Sequence, residues 1–599
     1  MKSVLHLVIV WSTATAYKDE IVSDIKNNFE FLKTIKVHWD ASLFYENLKI
    51  FYSHSLKDKS EKEMVRILTD KIKTVGRRDF YVIIFRDNKP QMEQRVTTSG
   101  TCVVNTKIFD LKERYRKIVG GSKIHSSNDA WETNKDLSIL FGQNSEDFIQ
   151  NNDIGESYNK NCVGVNGYES LEQLFYILNN TTDYCVLRNF EGIPEQYTLE
   201  GHDDIDLLVA HKNYAVRLTN AKPKFPQSYR VYHHILINGV NVAFDFRYVG
   251  DNYYDKKWEI DILDSKVLHK DLFYIPSDIN RFYSLLYHAY VQKPRIKEDY
   301  FPRLGKYAKN IGVEFHKGKL ESMLLLYAFM LNMGYSITRA DDKSVYFNKL
   351  TVLLPDAYCH LKDKGLANLL SVHEDHHSMS GYVYFTGIYK GNMVFVKYGG
   401  IGDSCRNEYS FNMRMWSLNK DHYLEPLLFG QNKDNTYIVF RFCKGQSIKE
   451  YLSNGGQKEL IKSQFIEIYK ELQEQHVVHR DIRPENFCVE DDKLKLFDFQ
   501  FAVDSQEKRE LDCLRKNTVL AYSLGDVEHY KYRPYAWRDS FSFLQTSKFL
   551  ELDVAPTDLS PQDKTIYMNL CDFLIYFIKK SKMDFQQMIS NGFRKAARK

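Results

Sequence analysis

The sequence predicts a multidomain α+β protein made of three consecutive domains. Its 599 residues exceed what one hydrophobic core organises, because single cores stop growing at about 250 to 300 residues. The composition is that of a folded chain, with 43% hydrophobic, 27% charged and 14% aromatic residues. Strand-like and helix-like patterns alternate early in the chain, and its last part changes from strand-rich to helix-rich sequence after Gln457. We therefore expect several α+β domains in one chain.

Shifts in the sequence pattern place the domains at residues 1–150, 165–350 and 360–599. The polar stretch 144–159 has the composition of a linker. The first block is predicted to contain strands at 6–11, 34–39 and 80–85, and helices at 19–32, 42–52, 61–72 and 132–140. One predicted helical face carries Ile21, Ile25, Phe29 and Leu32. The second block begins with a helix and strands and ends in a helical extension.

The third block contains a set of residues suited to phosphoryl transfer. The segment HRDIRPEN at residues 479–486 places Asp481 five positions before Asn486, and an apolar strand then ends at Asp498. Upstream, another apolar strand ends at Lys397. Phosphoryl transfer needs cations against the phosphates and a carboxylate near the incoming hydroxyl, which this set of residues supplies.

These segments resemble the catalytic loop and the metal-binding segment of the protein-kinase superfamily, over about 240 residues. The resemblance implies a bilobal fold, with Asp481 as catalytic base and Asn486 and Asp498 as Mg²⁺ ligands. It makes Lys397 the cation for the α- and β-phosphates of ATP. Arg483 occupies the position of a lysine that contacts the γ-phosphate in protein kinases.

Further kinase positions are assigned by the same resemblance. Glu408 is the candidate partner of Lys397 on the following helix, and residues 437–442 form the hinge strand. The nucleotide loop is expected at 376–381, where Gly381 is its one glycine. Gln500 replaces the usual glycine after the metal-binding aspartate, and residues 532–534 lie where the activation segment should end. These departures resemble small-molecule, sugar and antibiotic kinases more than regulated protein kinases.

The second block contains three carboxylates predicted to converge. Asp204 and Asp206 lie on the same face of one strand, because side chains alternate along a strand. Asp245 lies on the polar face of a second strand that begins at residue 240. Carboxylates about 4 Å apart repel by roughly 4 kcal/mol at an effective dielectric near 20, which a divalent cation relieves. The pattern resembles the nucleotidyltransferase fold of the polymerase-β superfamily, in which such a cluster holds metal ions. The Gly-Ser pair of that family is absent, and residues 188–190 stand in its place.

In the first block one histidine is a candidate nucleophile. His125 follows a glycine pair and precedes the predicted helix 132–140. The order of strands and helices resembles nucleoside diphosphate kinases, whose phosphate-accepting histidine sits in a similar turn. The resemblance implies a ferredoxin-like α/β domain, with His125 as nucleophile and Ser127 as its supporting hydroxyl. The lysine expected after the first strand is absent, since Ser12 to Ala14 stand there. A lone histidine also has a structural interpretation.

Together these patterns predict an ATP- and Mg²⁺-dependent phosphotransferase joined to a nucleotidyltransferase-like domain. Its partners would be a nucleoside triphosphate and a hydroxyl acceptor on a small molecule, sugar or glycoconjugate. One alternative is a protein Ser/Thr kinase, and another is a regulatory protein with three degenerate nucleotide-binding domains. The sequence is silent on oligomeric state.

The net charge and the cysteines indicate the cellular compartment of the protein. A net charge of +4 gives no strong signal for nucleic acid, and the apolar run 323–333 is too short to span a bilayer. Nine scattered cysteines without CxxC pairs suit a reducing compartment. Residues 1–16 allow a signal peptide, and hence secretion, but a first strand agrees better with ATP chemistry. We therefore predict a cytoplasmic protein.

Overall fold

A computed structural model describes residues 3–97, 100–151, 153–194, 204–372, 381–400, 404–479, 481–504, 506, 546–547 and 549–552. The chain forms two compact units. The first comprises Met1–Lys317 and Leu325–Asn348, and the second comprises Gly318–Leu324 and Lys349–Lys599. Both units mix helices and strands. In the part of the chain described, no helix combines the length and apolarity needed to cross a membrane.

The first unit opens with a sheet flanked by helices. Its elements in chain order are β1 (Val4–Val10), α1 (Lys18–Asn28), β2 (Glu30–Val37), α2 (Phe44–Phe51), α3 (Glu61–Val75), β3 (Phe80–Asp87), β4 (Met92–Thr97), β5 (Gly100–Asn105), α4 (Thr106–Val119), β6 (Ile124–Ser126), α5 (Ala130–Phe141), α6 (Ser145–Asn151) and β7 (Ser157–Tyr158). The strand order is β6-β1-β3-β2-β7, and β4 and β5 form a separate hairpin. The strand β7 pairs in parallel with β2, and the other described neighbours in this sheet are antiparallel.

The inner strand β1 is buried on both faces, because its side chains alternate between two cores. Leu7 and Ile9 face the larger core, whereas Val8 and Val10 face the side covered by α1 and α4. The strand predicted at 6–11 is confirmed, but it begins two residues earlier, at Val4, and ends one residue earlier, at Val10.

Two local predictions in this unit are wrong. The first helix ends at Asn28, and Leu32 lies in β2, because the chain turns extended at Phe29 to pair with β3. The stretch 144–159 is not a simple linker, since it forms α6 and β7. The side chain of Asn144 accepts hydrogen bonds from the backbone N–H groups of Glu146 and Asp147, at 2.9 Å each, and so caps the start of α6.

The first unit continues with a second sheet. The elements are α7 (Leu171–Thr181), β8 (Tyr184–Arg188), β9 (Ile205–Val209), α8 (Lys212–Leu218), β10 (Lys222–Pro223), β11 (Tyr232–Ile237), β12 (Val240–Tyr248), α9 (Lys256–Asp264), β13 (Val267–His269), β14 (Phe273–Ile275), α10 (Asp278–Tyr290) and α11 (Tyr300–Asn310). The next helix, α12 (Lys319–Met333), belongs to the second unit up to Leu324 and to the first unit from Leu325. The strand order is β10-β11-β12-β9-β8, with β12 and β9 parallel.

One hydrophobic core joins both sheets of the first unit. It includes Ile9 of β1, Phe175 of α7, Leu207 of β9 and Phe244 of β12. The helices α5 and α7 pack against each other, as do α2 and α8. The division at residues 1–150 and 165–350 thus falls within one compact unit, and the domain boundaries stay a prediction.

The second unit begins with a helix and a five-stranded antiparallel sheet. Its elements are α13 (Lys349–Asp363), β15 (Ala367–Val372), β16 (Tyr382–Tyr389), β17 (Asn392–Gly399), α14 (Ser404–Leu418), β18 (Pro426–Asn432), β19 (Asn435–Arg441), β20 (Gln446–Ser447), α15 (Ile448–Ser453), α16 (Lys458–Glu474), β21 (Val477–Val478), β22 (Phe487–Glu490), β23 (Lys493–Leu496) and β24 (Val503–Asp504). The order of the large sheet is β15-β16-β17-β19-β18.

Helices cover this sheet on both faces. Val394 and Val396 of β17 pack with Leu354 and Leu361 of α13 on one face. Cys405 of α14 packs with strand residues on the opposite face. Because side chains alternate along β17, Lys397 points away from the α13 side and towards α14.

Candidate functional site

In the second unit, Lys397 lies between two carboxylates. Its Nζ is 2.7 and 3.0 Å from the two carboxylate oxygens of Glu408 on α14, and 2.7 Å from Oδ1 of Asp498. All three side chains are largely buried, with exposures of 10%, 1% and 16%. The structure therefore brings together three residues that are separated by up to 101 positions in the chain.

Burial and charge act in opposite directions on these groups. Burial alone would lower the pKa of Lys397, but the carboxylates of Asp498 and Glu408 raise it above its ordinary value. Burial raises the pKa of Glu408 to about 7, although the Lys397 ammonium opposes that shift. Lys397 consequently stays charged and holds both carboxylates in place.

The predicted catalytic loop is ordered by its own side chains. Nδ2 of Asn486 donates to the backbone carbonyl of Asp481 at 2.8 Å and to its Oδ2 at 3.1 Å. Arg483 lies beside the same carboxylate, with Nε 3.5 Å from Oδ2. The N–H of Phe497 donates to the carbonyl of Asn486, so the β22–β23 hairpin brings Asn486 and Asp498 to the same end.

The segment after Asp498 is fixed by contacts that the sequence did not reveal. Asp498 has a left-handed backbone, with φ 72° and ψ 53°, and its Oδ2 accepts a hydrogen bond from the Gln500 amide at 3.2 Å. Nδ2 of Asn407, one residue before Glu408, donates to the backbone carbonyls of Gln500 and Ala502 at 3.1 and 2.8 Å. The helix that carries Glu408 thus also holds the segment that carries Asp498.

Some predicted kinase positions lie at the boundary of the described residues or outside them. Gly381 directly precedes β16, has φ 75°, and its carbonyl accepts from the Gly400 N–H at 2.9 Å. It ends the β15–β16 connection, which is where the nucleotide loop was expected. Residues 376–380 and 532–534 lie outside the described residues.

The three carboxylates of the first unit do converge. Oxygen atoms of Asp204, Asp206 and Asp245 lie within 4.8 Å of one another. Asp206 pairs with Asp245 in the parallel register of β9 and β12, and with Arg188 in the antiparallel register of β8. Nη2 of Arg188 donates to Oδ1 of Asp206 at 2.7 Å.

The electrostatics of this cluster fit a hard divalent cation. Burial, followed by repulsion from Asp206 and Asp245, raises the pKa of Asp204 to about 7. Oδ1 of Asp245 is buried without a hydrogen-bond partner, and burial also raises the pKa of that carboxyl. Carboxylate oxygens are the ligands that Mg²⁺ prefers. Arg188 offsets the charge of Asp206, and Nη2 of Arg247 lies 3.4 Å from Oδ2 of Asp245 and offsets a second charge, so that one of the three negative charges remains.

His125 lies on β6 and is 8% exposed. Its Nε2 is 2.8 Å from Oδ2 of Asp136, and Lys135 is 2.9 Å from the other oxygen of that carboxylate. Ring atoms of Phe51 pack against the imidazole, with centroids 5.1 Å apart. Although Glu132, Asp136 and His125 are close enough to share an ion, Lys135 already neutralises Asp136 and disfavours a cation there.

The Ser127 hydroxyl, which was predicted to support His125, is held by hydrogen bonds from β1 and α5. Its hydroxyl oxygen accepts from the N–H of Leu7 at 3.1 Å and from the Thr133 hydroxyl at 2.8 Å. These bonds tie the turn after β6 to β1 and α5.

Cations that the sequence did not single out flank His125. Nζ of Lys112 donates to the carbonyl of Ser126 at 3.2 Å, and Nε of Arg116 donates to the carbonyl of Ile124 at 3.4 Å. Burial, together with the positive charges of Arg116 and Lys112, lowers the pKa of Lys71 to about 8. Mutual repulsion among these groups would be relieved by an anion.

Comparisons with known proteins concern the second unit. The protein kinase domain family matches residues 406–522, which include Glu408, Asp481, Asn486 and Asp498. A stretch of 95 residues is 34% identical to a serine/threonine-protein kinase stk11 homolog of Dictyostelium discoideum, covering 14% of this chain and 16% of that protein. Another of 87 residues is 36% identical to an Aurora kinase of Encephalitozoon cuniculi, covering 13% of this chain and 32% of that protein.

A third relative is sperm motility kinase 2A of Mus musculus, 26% identical over 88 residues, covering 14% of this chain and 18% of that protein. The chain thus spans between 16% and 32% of these relatives' lengths. The comparisons confirm the resemblance of the C-terminal block to protein kinases.

Proposed function

We propose that the second unit is an ATP- and Mg²⁺-dependent kinase that transfers the γ-phosphate to a hydroxyl group. The observation that carries this proposal is the position of Lys397 between Glu408 and Asp498. A buried lysine held by a helix carboxylate is oriented to bind phosphate oxygens as a fixed cation. The match to the protein kinase domain supports the same assignment.

The donor set fits Mg²⁺ and ATP. Asn486 and Asp498 offer amide and carboxylate oxygens from the same end of one hairpin. When bound, Mg²⁺ would neutralise charge on the phosphates. Asp481 accepts the proton of the incoming hydroxyl, and Arg483 stands beside it as a second cation.

The acceptor is a hydroxyl of either a protein or a small molecule. The similarity to a serine/threonine-protein kinase favours a Ser or Thr side chain, whereas Gln500 in place of glycine favours a small-molecule or sugar kinase. Incubation with γ-labelled ATP and Mg²⁺ against a mixed protein substrate and a sugar panel separates the two acceptor classes.

Matched variants test the assignment of the site. Asp481→Asn and Asp498→Asn should each lower label transfer about a hundredfold or more, as expected for loss of a catalytic base or a metal ligand. Asp491→Asn, at the exposed turn of the same hairpin, should leave transfer unchanged. If the unmodified protein binds ATP but neither transfers nor hydrolyses its phosphate, the proposed enzymatic activity would be contradicted. That result would favour a regulatory protein with degenerate nucleotide-binding domains.

A second candidate activity, nucleotidyl transfer, belongs to Asp204, Asp206 and Asp245. The orphaned buried Oδ1 of Asp245 beside two further carboxylates supports a metal-dependent reaction there. Incubation with α-labelled ATP should produce a labelled product. The Asp204→Asn variant should lose this label transfer, whereas Asp264→Asn, at the exposed end of α9, should retain it. Label transfer that survives Asp204→Asn would exclude this cluster.

Phosphotransfer through His125 is favoured by the cations around it. Since Asp136 holds Nε2, the γ-phosphoryl would break its bond to the ADP oxygen and bond to Nδ1 of His125. An acid-labile, alkali-stable phosphate on His125 after incubation with ATP would support this step. A histidine that stays unlabelled while the second unit transfers phosphate would assign it a structural role.

A further inference from the structure

Two cysteines that are 45 residues apart in the chain meet in the second unit. The Sγ atoms of Cys443 and Cys488 are 2.8 Å apart. Cys443 lies two residues after the end of β19, and Cys488 is the second residue of β22. Both are partly exposed, so a small oxidant reaches them from solvent.

The surrounding backbone holds the two sulfurs together. Ser447 of β20 pairs with Cys488 of β22, and the N–H of Lys444 donates to the Glu490 carboxylate at 2.7 Å. Gly445 has no room for a side chain, because a Cβ there would lie 2.6 Å from the carbonyl oxygen of Val489. The chain after the hinge strand is therefore pinned against the strand that follows Asn486.

We infer that Cys443 and Cys488 form a reversible thiol–disulfide site, with a peroxide as its oxidant. The thiolate sulfur of Cys443 attacks one peroxide oxygen, so that an S–O bond forms, the O–O bond breaks and hydroxide leaves. Cys443 is thereby oxidised by two electrons to the sulfenic acid. The sulfur of Cys488 then attacks that of Cys443, an S–S bond forms, and water departs with the Cys488 proton.

The hydrogen bonding identifies the attacking thiol. The Gly445 N–H donates to Sγ of Cys443 at 3.4 Å, and the hydrogen bond between the two thiols lowers the pKa of Cys443 against the opposing effect of burial. The same pairing raises the pKa of Cys488. Cys443 is thus the nucleophile, and Cys488 resolves its oxidised form.

The disulfide would join the two sides of the nucleotide site. Cys443 lies next to the hinge strand, and Cys488 lies on β22, two residues after Asn486. The disulfide bond therefore ties the hinge strand to β22. This consequence rests on the proposed kinase function, whereas formation of the disulfide does not.

The test treats the full-length, reduced protein with stoichiometric hydrogen peroxide and maps its peptides without reduction. We expect a 443–488 linkage that dithiothreitol reverses and that Cys443→Ser or Cys488→Ser abolishes. Cys359→Ser, which removes an exposed cysteine on α13, should retain it. Oxidised protein that lacks this linkage, or that links other cysteines instead, would overturn the inference.

A fluorescent ATP analogue measures the consequence for nucleotide binding. Its affinity should change about fivefold or more on oxidation and recover with dithiothreitol, the scale usual for coupled sites. An unchanged affinity would overturn the link between the disulfide and the nucleotide site. Reduced protein that fails to bind the analogue would contradict the proposed function, while a mapped linkage would still establish the thiol site.

Discussion

Lys397 is a buried cation between the carboxylates of Glu408 and Asp498, and the lysine and the two carboxylates depend on each other for charge balance. Removing one member of a buried ion pair leaves an uncompensated charge, which costs more than the pair itself contributes. Glu408 and Asp498 would then repel each other across the space left by the ammonium. The three residues therefore act as one group.

Lys397→Met tests this interdependence. We expect the free energy of unfolding of the second unit to fall by about 3 to 5 kcal/mol, the cost usual for breaking a buried pair. Phosphate transfer should be lost in the same variant. Urea unfolding and label transfer measure the two effects, with the exposed Lys420→Met as control. Unchanged stability would show that the pair contributes nothing to the fold.

His6 gives the first unit a pH dependence of known sign. Burial lowers the pKa of His6 to about 4, although Asp87 opposes the shift. Between about pH 4 and 6.5 the unfolded chain then binds a proton that the folded chain does not. The stability of the first unit should therefore rise with pH across this window and fall as the solution is acidified.

The loss from pH 6.5 to pH 4 is on the order of 3 kcal/mol, at 1.36 kcal/mol for each unit of pKa. His6→Gln should flatten this slope, whatever it does to stability at pH 7. Guanidinium unfolding at several pH values gives the slope, and His316→Gln, with a side chain 59% exposed, is the control. Equal slopes in both variants would contradict the assignment to His6.

At the scale of elements, α14 links two parts of the candidate kinase site. Its Glu408 holds Lys397, and the neighbouring Asn407 holds the segment after Asp498. A displacement of this helix would therefore move Lys397 and Asp498 together.

Asn407→Ala should weaken that link. The variant leaves the carbonyls of Gln500 and Ala502 without this donor, and an unsatisfied buried group costs about 1 to 3 kcal/mol. We expect a loss of stability in that range and faster hydrogen exchange of residues 498–504. Ser410→Ala, on the exposed side of the same helix, should change neither. Slow exchange in both variants would show that other contacts fix the segment.

Element by element, periodicity predicted most strands and helices but not their ends. The spacing of Phe29 and Leu32 continued a helical face, yet pairing with β3 ended the helix, because a partner 50 residues away has no local signature. Asn144 is a residue type that commonly caps helices, but the polar composition around it led to the prediction of a linker at 144–159. Fixed spacings revealed Asp481, Asn486 and Asp498, whereas Asn407 and the meeting of Cys443 with Cys488 depend on tertiary folding.

At the scale of the whole molecule, the chain forms two compact units with separate hydrophobic cores. Local patterns gave three blocks, because nothing in residues 1–150 shows that their core continues into the sheet of β9 and β12. Calorimetry of the full chain should show that His6→Gln shifts one transition and Asn407→Ala lowers the other. A single transition shifted by both variants would contradict separate folding.

The row formed by Arg188, Asp206 and Asp245 has a consequence for how this protein can diverge. Each residue sits directly opposite its neighbour on adjacent strands, so inserting one residue into any strand turns a member of the row to the other face. During evolution, the three residues of this row would therefore change together rather than one at a time. Descendant sequences should keep the arginine and both aspartates as a block, or replace them together, while length variation accumulates in the connections between strands.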